Sequence, residues 1–152
     1  MKAEELMIGD WVHVNPISHR VEPHDDQVRS IRREYGNGQI YIEGGYKQST
    51  SSKETNWFGW SVLPADLTPI PLTSDILEAN GFKHITKGID ETDVWSLEIG
   101  KYVCLDISPI DDGAWLITDN GVAIKYVHEL QHLFKLFGIV KNILMPDMLD
   151  IK

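Results

Sequence analysis

Tyr126-Val-His-Glu-Leu-Gln-His-Leu-Phe-Lys-Leu-Phe-Gly138 is the strongest helical stretch of the chain, and its reading decides both fold and chemistry. At about 100° per residue, Tyr126, Val127, Leu130, Leu133, Phe134 and Phe137 fall within a sector of roughly 120°, with Leu136 the one large apolar outlier. That stripe marks a core-facing side. The same residues contain His128-Glu129-Leu130-Gln131-His132, an H-E-x-x-H pattern. On a helix this spacing sets two imidazoles one turn apart, able to share a Zn²⁺, with the Glu placed to deprotonate a metal-bound water. Taken literally, it describes a metallopeptidase.

The angles oppose that reading. His128, Gln131, His132 and Lys135 lie opposite the apolar stripe, where a helix packed on one side faces water. Lys135 falls angularly between the two His, and its ammonium would weaken a bound dication. Catalytic zinc needs a third protein ligand. The positions three and six residues after the second His are Lys135 and Gly138, and the late carboxylates Asp147 and Asp150 have no distinctive spacing. The expectation is two solvated His on an amphipathic helix, with no catalytic residue, no metal ligand and no cofactor.

Around this helix the second half of the chain reads as an antiparallel sheet. Strands are expected over residues 82–86, 94–99, 101–107, 114–118 and 122–125, joined by turn-rich segments. Asp90, Glu91 and Asp93, or Asp106, Asp111 and Asp112, do not follow the alternating ligand pattern of a calcium loop and read as solvated turns. Residues 72–81 form a short helix that Thr73 can cap and Asn80-Gly81 can end. The segment 64–71, with three prolines, reads as an extended connector. The tail carries Ile143, Leu144, Met145, Met148, Leu149 and Ile151, so it is expected to pack on its own domain or on a second subunit.

The first half reads as β structure. Trp11, His13 and Asn15 alternate with Val12 and Val14, the period of a half-buried strand. Pro23-His-Asp-Asp26 reads as a loop; His19, His24, Asp25 and Asp26 could touch a metal, but their spacing is irregular. Residues 27–33 and 39–43 read as a hairpin around Tyr35-Gly-Asn-Gly38. The polar tract 47–56 reads as a mobile loop. Trp57, Phe58 and Trp60, three large aromatics in four residues, suit core packing of a small barrel and are also the first candidates for a partner-binding surface.

The 152 residues suffice for one domain or two small ones. Net charge is −9, which disfavours binding to phosphate backbones; Arg29, Arg32 and Arg33 are the one basic cluster. The single cysteine, Cys104, excludes an internal disulfide and reads as a small core residue in a reducing compartment. No signal peptide or membrane span is apparent, so a cytoplasmic location is expected.

Met1-Lys-Ala-Glu-Glu-Leu6 with Ile8-Gly-Asp-Trp-Val12, Leu67-Thr-Pro-Ile-Pro-Leu-Thr73 leading to Gly81-Phe82, and Ile124-Lys-Tyr-Val-His-Glu-Leu-Gln-His-Leu133 together resemble a family of small uncharacterised proteins. That family is encoded in Bacteroidetes genomes, often in prophages or other mobile elements. The resemblance implies no activity. It also implies that the positions of Glu129 and His132 can be amides, which a hydrolytic zinc site could not tolerate. The tail after Gly138 is longer here than in that family.

The expected architecture is α+β: a small antiparallel, barrel-like (SH3-like) β segment over 1–70, then an antiparallel sheet with two helices over 71–152. The expected function is a non-enzymatic protein-interaction or accessory protein of a phage or mobile element, with an unidentified protein partner. The alternative is a zinc-dependent, metallopeptidase-like hydrolase using His128-Glu129-x-x-His132.

Overall fold

The computed structural model describes residues 1–15, 23–49, 55–87 and 92–146, and the side chains of 46–49, 55–58, 87 and 92 fall outside that description. The chain is α+β, with antiparallel strands throughout and, among the described residues, two α-helices. It divides into two compact units, Met1–Ile70 and Pro71–Lys152.

In the first unit the Val12/Val14 alternation becomes strand β1 (Trp11–Val14). It pairs antiparallel with β2 (His24–Gln27) on one side and β6 (Leu67–Pro69) on the other. The expected hairpin forms from β3 (Ser30–Arg33) and β4 (Ile40–Ser49). Gly38, at φ 70°, supplies the left-handed step of its turn. β5 (Thr55–Val62) completes a second three-stranded sheet, β3-β4-β5.

Residues 28 and 29 join the sheets: Val28 N–H donates to Asp10 O at 2.9 Å and Arg29 N–H to Glu43 O at 2.8 Å. Leu6, Val12, Val14, Val28, Ile42, Trp60, Val62 and Leu67 form one core. Among the described residues the sheets do not close, so the barrel-like expectation resolves into two open sheets around that core.

Three local expectations are corrected. Pro23-His-Asp-Asp26 contributes most of β2 rather than a loop. The polar tract is in part a strand pair, Lys47↔Trp57 to Ser49↔Thr55, because ladder pairing satisfies backbone groups whatever the side chains are. Residues 50–54 of that tract lie outside the described residues. The Pro-rich connector is a 3-10 turn, Pro64–Asp66, followed by β6. Proline is tolerated in β6 because it is a terminal strand of its sheet.

In the second unit, α1 (Ser74–Ala79) starts at Thr73, whose Oγ1 accepts from Ile76 N–H at 3.3 Å. Gly81, at φ 86°, turns the chain out of it. Then β7 (Lys83–Lys87), β8 (Thr92–Gly100), β9 (Val103–Ile110), β10 (Ala114–Ile117) and β11 (Ala123–Ile124) form a meander ordered β11-β10-β9-β8-β7. Leu97, Leu105, Ile107, Ile117 and Ile124 are buried along it, with Trp95 and Trp115 edge to face at 5.1 Å. Cys104 is exposed rather than core: β9 alternates, so Leu105 and Ile107 are buried while Cys104, across from Glu98, falls on the other face.

Helix α2 (Val127–Leu136) follows β11 and buries Val127, Leu130, Leu133 and Phe134; Phe134 stacks on Phe82 at 6.4 Å. Phe137, expected in the stripe, is the helix's terminal cap and is exposed. Gly138, at φ 68°, then lets the chain reverse, and Ile143 and Met145 are buried. Asn80 holds this segment: its side chain donates to Leu144 O at 2.8 Å and accepts from Leu144 N–H at 2.8 Å. Met148, Leu149 and Ile151, expected to pack, lie outside the described residues.

Candidate functional site

The H-E-x-x-H residues sit in the first two turns of α2, and the structure corrects their expected orientation. His128 is only 6% exposed and Gln131 is buried with it, while His132 is half-buried. At 3.6 residues per turn, the buried residues from Val127 to Phe134 span an arc of roughly 220°, far wider than the apolar stripe. The cover on the His side ends before the last turn, where Lys135 and Leu136 are exposed. Angular reading assumed one packed face; here tertiary packing, not side-chain polarity, sets burial.

The two imidazoles are neighbours, with ring centroids 5.7 Å apart and planes at 75°. The His128 ring also lies flat against that of Tyr126, at 5.8 Å and 9°.

Glu129 is engaged at the start of the helix. Its Oε2 accepts from Lys125 N–H at 2.6 Å and from Tyr126 N–H at 3.0 Å. These amides precede the first turn of α2, and the carboxylate also lies where the helix dipole favours negative charge. Tyr126, the cap residue, contributes no side-chain cap bond, so Glu129 does the capping alone. Among the described residues no group of three His, Cys, Asp or Glu is placed to hold a metal ion. Asp147 and Asp150 lie outside the described residues, as do His19, Asp90 and Glu91.

The aromatic surface candidate is also altered. Trp60 is buried, and its Nε1 donates to Asp26 Oδ2 at 2.7 Å. Trp60 is thus a core residue rather than part of a partner-binding face. A buried indole N–H needs an acceptor, and Asp26, itself buried, provides one. Trp57 and Phe58 are placed in β5, opposite Lys47 and Tyr46, and their side chains are outside the description.

The basic cluster is divided by the pleat of β3, which sends Arg32 and Arg33 to opposite faces. Arg32 is bonded to Glu43, Nε to Oε1 at 3.0 Å, and its guanidinium lies 5.2 Å from the Tyr41 ring centroid. This arrangement adds nothing to the case for nucleic acid.

Two His–carboxylate pairs were not anticipated. His13 Nδ1 meets Asp25 Oδ1 at 2.6 Å, and His84 Nε2 meets Asp93 Oδ1 at 2.7 Å. The first pair sits directly across the β1–β2 ladder and the second on the diagonal, two residues off register, across β7–β8. Their only sequence signal was a His and an Asp on adjacent strands, which becomes readable once register is known. The same register separates Asp25 from His24 and Asp26 on opposite faces of β2.

No helix of the described residues is long and apolar enough to cross a membrane. No protein-family model, no curated protein and no solved structure matches this chain.

Proposed function

We propose that this is a non-enzymatic protein that works by binding another protein, in the cytoplasm, as an accessory factor of the mobile-element kind that the resemblance implies. The observation that carries this reading is the position of Glu129. A carboxylate accepting two backbone amides at a helix start is held away from the role of general base. Support for binding comes from the far end of α2, where Leu136 is 79% exposed and Phe137 and Val140 are exposed beside it in sequence. Neighbouring exposed apolar side chains are the usual mark of a contact surface.

The competing zinc-dependent hydrolase keeps one observation on its side, the buried His128 ring close to His132. Incubating the untagged, zinc-supplemented chain with unfolded casein separates the two. No Glu129-dependent cleavage is expected, so the wild-type chain and Glu129→Gln should give the same background. Cleavage by the wild-type chain that disappears in Glu129→Gln would establish the hydrolase.

A further inference from the structure

We infer that His128 and His132 form a two-imidazole chelate for a late first-row divalent ion, zinc or more tightly copper, that binds metal without hydrolytic chemistry. Three observations on α2 combine here. First, the residues are one turn apart, so their side chains leave the helix in neighbouring directions. Second, the rings are already close. A metal about 2.0–2.1 Å from one nitrogen of each ring at a tetrahedral angle brings the ring centroids to roughly 5 Å. The rings stand at 5.7 Å with their planes at 75°, close to that separation. Third, His128 is buried and stacked on Tyr126, which restricts its rotamers before any ion arrives. A ligand held in place in advance loses less conformational freedom on binding.

Nitrogen donors select zinc, nickel or copper over calcium and magnesium, which take oxygen ligands. Two protein nitrogens leave the other coordination positions of the ion to water or to a donor from another molecule. Glu129, engaged by Lys125 and Tyr126, is not available to deprotonate that water. The resulting site holds an ion without the base that would make it a hydrolase. Chelation and catalysis are read separately, the first by metal uptake and the second by cleavage, so failure of either leaves the other standing.

Equilibrium dialysis of the full, untagged chain against zinc chloride, and separately copper chloride, tests the site. Saturable uptake of one ion per chain is expected, with copper held more tightly than zinc. His132→Ala, at a half-buried position, should weaken uptake by at least about tenfold, the loss that even an outer-shell partner of a metal brings. Glu129→Gln should take up metal normally.

On the native chain, NMR titration with zinc should shift the imidazole signals of His128 and His132 together, leaving those of His13, His24 and His84 in place. Absence of saturable uptake would overturn the inference. So would uptake undiminished in a folded His132→Ala chain, or zinc-dependent shifts at the other histidines instead.

Discussion

Gly44→Ala is expected to destabilise the first unit by about 3 kcal/mol, the upper part of the range for overpacking a well-filled core. Gly44 lies on β4 directly across from Trp60 on β5. A Cβ built there would overlap the indole at Cζ2, Cε2 and Nε1. The ring has little room to retreat, because Nε1 is tied to Asp26 and the side chain is buried against the core. Moving it breaks the bond and leaves a buried indole donor unmatched, at a cost of about 1–3 kcal/mol, while Asp26 keeps the Gln27 N–H on its Oδ1. Gly59, on the same strand pair, is the control. Its nearest neighbour would be Gly44 O at 3.6 Å, an ordinary contact, so Gly59→Ala should stay within about 0.5 kcal/mol. Urea midpoints of the two variants check this. Combining Gly44→Ala with Trp60→Leu should cost less than the sum of the single changes, since the smaller side chain vacates the volume the new methyl enters.

Phe134→Ala is expected to remove about 3–5 kcal/mol from the second unit, the cost of deleting a buried aromatic ring. The side chain is among the largest fully buried ones in the chain and stacks on Phe82. Its carbonyl also accepts from Ile139 N–H at 2.8 Å, where the chain turns out of α2. Loss of the ring loosens both the helix and the segment Asn80 holds. Leu136→Ala, two residues on and largely exposed, should change stability by no more than about 0.5 kcal/mol. Circular dichroism in urea measures both. A Phe134→Ala chain as stable as the wild type would mean that α2 is not packed through this face.

What could be read from the sequence was local. The Tyr126 helix, the Thr73 cap, the turn before β4 and the strands of the meander each depend on residues a few positions apart. They formed close to where periodicity and turn chemistry put them, except that β9 runs on through residues 108–110, which read as turn. What could not be read depended on partners distant in sequence. His128 looked solvated because angular reading sees one helix and not what covers its second side. Cys104 looked buried because an apolar run conceals which face each member takes. Segment 64–71 looked like a linker because its prolines disfavour helix, and they fit equally well in a terminal strand.

Trp60 is the clearest case. Its burial depends on Gly44 and Asp26, which meet it only through β4–β5 pairing and the packing of β2. The capping role of Glu129 was closer to legible. A Glu at the third helical position is half of a capping box, but Tyr126 in place of Ser or Thr hid the other half.

Amide exchange at Lys125 and Tyr126 tests the assignment of Glu129 most directly. If the carboxylate is the cap of α2, Glu129→Ala removes the acceptor of both amides. Their exchange should then quicken by roughly fivefold, the equivalent of about 1 kcal/mol of capping. Unchanged exchange at both positions would mean that the carboxylate is not engaged there and is available as the base of a metallopeptidase, contrary to this account.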